Sequence, residues 1–193
     1  MASRINKEIK ANFPKYETLL KGKKNSTDKV ITLNKVKKQH QNTLISSTGA
    51  KHIDTDEKLE LIVESKIEDK RSFKFKLKAP DFSGEPFFRF DSDGASHFNR
   101  NPSIPLHEQK IDTPHFNAFN NQGKGIAYRT TALNTPNECE ALLNDASLCM
   151  AHYCDEANIY YNNTEYIEIN QSPSGKFDFN LDNLNPTDGV NYE

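Results

Sequence analysis

Three of the six histidines, His97, His107 and His115, fall within 19 residues of one another, with Asp91, Asp93, Arg100, Asn101 and Asp112 close by in sequence. Imidazole gains and loses a proton near neutral pH, so two rings on either side of a phosphodiester suffice to cleave RNA by acid–base chemistry. One ring removes the 2′-hydroxyl proton and the other protonates the leaving oxygen. A cation such as Arg100 or Arg129 steadies the charge gathering on phosphorus. Such a reaction needs no metal and no cofactor. The candidate catalytic set is therefore His97, His115, Arg100, His107 and Asp91. Taken singly, His97 and His107 read more readily as solvated loop residues and His115 as a satisfied interior histidine. A site exists only if the fold gathers them.

Other chemistries have weaker support. Asp91, Asp93, His97 and His115 carry ligand types suited to Mn²⁺, Mg²⁺ or Zn²⁺, but their spacing matches no metal motif. Asp91-Ser92-Asp93-Gly94 begins like a calcium loop and lacks the glutamate that should stand at its twelfth position. Cys139, Cys149, His152 and Cys154 lie along or just after one helix and read as core thiols rather than zinc knuckles. Glu64-Ser65-Lys66, with Asp54 and Asp56 upstream, resembles the carboxylate–lysine core of restriction-type nucleases, a tripeptide that alternating charges on a strand also produce by chance. Walker, dinucleotide-binding and Gly-x-Ser-x-Gly patterns are absent from the sequence.

The elements that must position these residues are those of an α+β domain. Ile5, Ile9, Phe13, Tyr16 and Leu20 recur at helical spacing, and Pro14 divides them into two short helical pieces. Val30–Leu33, Thr43–Ser46, Leu59–Ile67, Ser72–Leu77, Phe87–Asp91, His115–Phe119 and Ile126–Thr130 read as an antiparallel meander of about five to seven strands. In Phe73-Lys74-Phe75-Lys76-Leu77-Lys78 the two-residue period puts the apolar residues on a core face. Lys74, Lys76 and Lys78 then make the other face wet and basic, and with Arg129 they are the candidate nucleic-acid contacts. Asn120 to Gly125 suits a hairpin turn. The stretch from Ser92 to Asp112 lacks periodicity and reads as a functional or mobile loop. Thr135-Pro136-Asn137-Glu138 is a capping-box pattern. Leu142, Ala146, Cys149 and Tyr153 give the following helix a stripe that should lie across the sheet. Tyr160-Tyr161 and Tyr166–Ile169 are late strands. The domain should span residues 1–170, with an acidic, Asn-rich flexible tail over 171–193.

Phe88-Arg89-Phe90-Asp91-Ser92-Asp93-Gly94-Ala95-Ser96-His97-Phe98-Asn99-Arg100-Asn101-Pro102, followed by Asp112-Thr113-Pro114-His115-Phe116-Asn117, resembles the centre of the TumE-like toxins of bacterial toxin–antitoxin pairs and related bacterial and phage families. The resemblance covers about residues 87–154 and rests on short motifs. It implies a toxin whose site includes Asp91, Gly94, His97, Arg100, Asn101 and His115. Asn117 stands where the second histidine of a Pro-His-x-His strand would be, which puts the role of that ring in doubt and moves weight onto His97 or His107.

Charge supports a one-sided approach of a polyanion. Residues 1–78 carry 19 Lys and Arg against 10 Asp and Glu, whereas residues 79–193 carry 6 against 17, within a chain of net charge -2. Nucleic acid would meet the basic half, unless the two halves neutralise each other in the fold. No run of about 18 apolar residues is present, which excludes a membrane-spanning helix. The N-terminal residues lack the apolar core of a secretion signal, and three clustered cysteines fit a reducing compartment, so a cytoplasmic location is expected. The expected protein is a toxin-like ribonuclease binding RNA, with an antitoxin as partner. The alternative is a non-catalytic phage- or mobile-element protein that inhibits a bacterial defence complex. Monomer and homodimer both remain open.

Overall fold

The computed structural model describes residues 5–171 of the chain, so the tail expected beyond them lies outside the described residues. At the N-terminus the side chain of Asn6 accepts from Ile9 N and caps α1 (Lys7–Ala11), and that of Asn12 accepts from Lys15 N and caps α2 (Phe13–Lys21). The break falls where Pro14 requires it, in a first turn whose N–H groups have no intrahelical acceptor. Ile9, Tyr16 and Leu19 face inward from the two pieces.

The sheet begins with β1 (Lys24–Ser26), continues through β3 (Lys35–Lys37), β4 (His40–His52), β5 (Lys58–Lys66), β6 (Phe73–Lys78) and β7 (Phe88–Asp91), and takes in β10 (His115–Phe119), β11 (Gly125–Tyr128) and β12 (Ile159–Tyr161). It is a curled, nine-stranded mixed sheet in the order β11-β10-β7-β6-β5-β4-β1-β12, with β3 also on β4. The antiparallel run from β4 to β11 is the expected meander. The sheet is larger than expected because β12 pairs in parallel with β1, and because β3 and β1 share one edge of the long β4. The expected strand at residues 30–33 does not join it. Instead β2 (Val30–Thr32) pairs with β13 (Glu168–Asn170) in a separate parallel ribbon. The stretch expected to lack periodicity contains a small antiparallel flap, β8 (His97–Phe98) with β9 (Lys110–Ile111).

Three helices fill the second half: α3 (Thr131–Asn134), α4 (Pro136–Asn144) and α5 (Ala146–Ala157). The single helix expected after Thr135 is two, because Asp145 is extended and its carboxylate accepts from Ser147 N and Leu148 N to start α5. The expected capping box does not form either. The Thr135 hydroxyl donates to Thr131 O, closing the short α3 behind it. α5 lies across the apolar face of the sheet as expected, with Tyr153 against Phe75, Phe88 and Phe116 at ring separations of 5.5, 5.4 and 6.3 Å. In the β10–β11 hairpin Gly123 has φ +69, and a Cβ there would stand 2.2 Å from Asn6 O, so only glycine serves. Among the described residues no helix is long and apolar enough to cross a membrane.

One buried cation ties the helical ends to the sheet. Lys24 is fully buried, and its Nζ donates to Leu20 O, Gly22 O and Ala157 O at 2.9, 2.7 and 2.6 Å. Burial pulls its pKa down to about 7, while the three carbonyls satisfy every donor of the ammonium form. They lie at the ends of α2 and α5, where the helix dipole favours positive charge. Lys24→Met should therefore strand three acceptors and lower the unfolding free energy by about 3 kcal/mol, read from urea titration at pH 6.

Candidate functional site

Strand alternation and register together set out the polar face. Glu64, Lys74, Asp91 and His115 are successive partners across β5, β6, β7 and β10, and Lys76, Arg89 and Asn117 form the next row. Residues two apart on a strand share a face, so both rows project away from α5. The lysine face predicted from β6 thus exists, but carboxylates interleave with its charges. Glu64 is 7% exposed and pairs with Lys37 and Lys76. Burial alone would raise its carboxyl, yet hydrogen bonds from Lys76 and Lys37 hold it below the usual value.

Asp91 sits at the centre. Its Oδ2 accepts from Asn117 Nδ2 at 2.8 Å and lies 2.8 Å from Arg89 Nε and 3.9 Å from His115 Nε2, while Oδ1 is 3.5 Å from Lys74 Nζ. Asp91 and His115 are 5% and 2% exposed. Even so, Asp91 Oδ1, Arg89 Nε and His115 Nδ1 are buried without an aligned hydrogen-bond partner in the protein. Arg89 Nε and Asp91 Oδ1 are nonetheless held by ion pairs, with Asp91 Oδ2 and Lys74 Nζ, so charge rather than aligned hydrogen bonds holds this cluster together.

The flap closes over this face. His97 Nε2 donates to Gly125 O at 3.2 Å, and the Asn99 side chain both donates to Ala127 O and accepts from Ala127 N, at 2.9 and 2.7 Å. These contacts dock the flap on the outer edge of β11. They bring the His97 and His115 rings to a centroid separation of 6.4 Å, inclined at 69°. Because a carbonyl can only accept, neutral His97 carries its proton on Nε2 and keeps a lone pair on Nδ1. Burial holds both imidazoles below their ordinary value of 6.5. At His97 the Gly125 carbonyl pulls upward, while Arg89 and Arg100 push further down. At His115 the Asp91 carboxylate and a hydrogen bond to the Asp112 backbone oppose the burial, while His97 and Arg89 add to it.

Two cavities meet between flap and sheet. The smaller, ≈ 230 Å³, is lined by Lys74, Arg89, Asp91, His97, His115 and Asn117 among others. The larger, ≈ 610 Å³, shares Arg89, Ser96, His97 and Asn117 with it and reaches Arg100, Phe98 and Phe119.

The fold therefore brings Asp91, His97, His115, Arg100 and Lys74 together. Lys76 follows one row away, and Lys78 lies further along the same strand face, beside Glu60. Two candidates stand apart. His107 has an 81% exposed side chain that lies 3.5 Å from Glu108. Arg129 points its guanidinium at Leu133 O and Thr113 O, closing α3 instead of facing the cavities. Arg89 lines both cavities and its charge bears on both imidazoles, yet it was not among the residues the sequence singled out, although it sits two residues before Asp91. Asp93 lines the smaller cavity with Asp91 but pairs with Lys66 and Ser72, and Ser92 accepts from Phe73 N. Among the described residues no three of His, Cys, Asp and Glu are grouped to hold a metal ion. Cys149 and Cys154 are buried core thiols, and His152 pairs with Thr130.

Since folding lowers the pKa of His115 and His97, the unfolded chain binds protons more readily below its value of 6.5. Stability should be lost as pH falls from 6.5 through the folded-state values. Comparison of urea midpoints at pH 7 and pH 5 should give a smaller loss for His115→Asn than for wild type, and an equal loss would clear that ring of the effect. Compared with protein-family models, with curated proteins and with solved structures, the chain matches none.

Proposed function

We propose that the protein is a metal-independent ribonuclease of the toxin type, cutting RNA between His97 and His115. The observation that carries this reading is the pair of imidazoles 6.4 Å apart, with Lys74 and Arg89 lining the same cavity as both rings. That spacing admits one phosphodiester with a ring toward each of its reacting oxygens. Neutral His97 takes the 2′-hydroxyl proton on Nδ1. The 2′-oxygen attacks phosphorus and the bond to the 5′-oxygen breaks. Protonated His115, its charge steadied by Asp91, gives its proton to that leaving oxygen. The products are a 2′,3′-cyclic phosphate and a free 5′-hydroxyl. Arg89 and Lys74 stand where negative charge accumulates. Asp91 positions: it holds Asn117, Arg89 and Lys74 by the contacts above and favours the charged form of His115.

His97→Ala and His115→Ala should each lower kcat/KM on a labelled oligoribonucleotide by about 10²–10⁴-fold, with EDTA without effect on wild type. Induced wild type should arrest bacterial growth with loss of total RNA, and His115→Ala should not. RNA left intact by wild type would overturn the reading.

Because both imidazoles titrate below 6.5, the fraction of the required general acid falls about tenfold per pH unit above its pKa. The rate should peak on the acid side of 6.5 and decline toward pH 8. A maximum at pH 8 would remove an imidazolium from the reaction.

A further inference from the structure

The ≈ 610 Å³ cavity is larger than one phosphate needs and falls within the range of about 300–1,000 Å³ common for small-ligand sites. Its walls are not those of an anion pocket alone. Phe98 and Phe119 line it together with Pro86 and Ala118, directly beside His97. Phe119 is held rigidly. Its N–H donates to Tyr16 Oη at 2.8 Å, and its ring meets Tyr16 edge-on at 6.0 Å. Phe98 is 46% exposed, an apolar ring kept partly in water on a flap whose flanking residues, His97 and Asn99, are both tied to β11. Of the polar groups of the wall, Asn117 holds Asp91 and Gly125 O accepts from His97, while Arg89 and Arg100 bring positive charge and Glu85 and Ser96 complete the polar side. Beside these groups the wall offers aromatic surface, Phe98 and Phe119, next to the proposed cleavage position.

We propose that this cavity is a nucleobase subsite, in which an unpaired base beside the scissile phosphate stacks on Phe98 and Phe119, so that the substrate is single-stranded RNA read with little base preference. This rests on the ribonuclease reading and names its substrate class. Stacking is tolerant of sequence because every base presents a π-face. A base held in a duplex is already stacked and paired, and cannot enter beneath the flap without leaving the helix.

The test has a cleavage arm and a binding arm. For cleavage, one oligoribonucleotide is compared alone and annealed to its complement, with wild type, Phe98→Ala and Phe98→Tyr. The single strand should be cut at least 100-fold faster than the duplex, Phe98→Ala should raise KM about tenfold with a smaller change in kcat, and Phe98→Tyr should behave as wild type. For binding, fluorescence anisotropy follows an all-2′-deoxy strand of the same sequence, which lacks the attacking hydroxyl, and a version with abasic residues. Wild type should bind the intact strand about tenfold more tightly than the abasic one, and Phe98→Ala should lose that difference. Equal binding of intact and abasic strands by wild type, or a duplex cut as fast as the single strand, overturns the subsite. Base-dependent binding lost in Phe98→Ala, without any RNA cleavage, supports the subsite and overturns the ribonuclease reading. Thermal unfolding of each variant at the wild-type temperature ties these changes to the ring rather than to folding.

Discussion

Everything at the candidate site depends on the register between β5, β6, β7 and β10. Phe75 pairs with Phe90 and Val63, and Lys74 pairs with Asp91 and Glu64, so each strand delivers one residue to the core and the next to the groove. A slip of one residue would drive lysine side chains against Tyr153 and set phenylalanines in the open. The aromatic stack of Phe73, Phe75, Phe90 and Phe116 on one side resists that slip, and the ion pairs on the other side exist only while it is resisted. The apolar face therefore does more than stabilise. It determines which charges meet.

The charges that meet are arranged economically. Two buried carboxylates, Glu64 and Asp91, each lie between two cations, Lys37 and Lys76 for Glu64 and Lys74 and Arg89 for Asp91. Paired this way, they allow lysine and arginine side chains to crowd one face of the sheet without expelling one another. The two carboxylates are not equivalent. Glu64 accepts from both of its lysines, whereas Asp91 keeps one oxygen without an aligned donor and turns the other toward Asn117, Arg89 and the His115 ring. That contrast separates a structural knot from a place where chemistry can be done.

Much of this was legible locally. Alternation in residues 73–78 gave the two faces of β6, Pro14 gave the break between α1 and α2, and Asn120 with Gly123 gave the hairpin. The proximity of His97 and His115 was legible only as clustering in sequence, and the same clustering wrongly included His107. What decided between them was the outer edge of β11, which draws in His97 through Gly125 O and leaves His107 in solvent. Arg89 and Arg129 exchanged roles for a similar reason. Arg129 is captured by the end of α3, an element of four residues too short to announce itself. The pairing of β1 with β12 and of β2 with β13 joins segments from opposite ends of the chain, and no local periodicity encodes such partners. Asp145, read within one helical stripe, instead starts a new helix because a short acidic side chain competes well for free N–H groups.

The way Asn99 meets β11 reaches beyond positioning. Its amide supplies a donor and an acceptor to Ala127 as a neighbouring strand would, so a terminal strand of a large sheet has part of its outward-facing backbone already occupied. Open strands invite recruitment of further chains. Here the same side chain that fastens the cover also blunts that invitation, so any departure of the cover, however brief, would leave the molecule momentarily sticky toward its own kind.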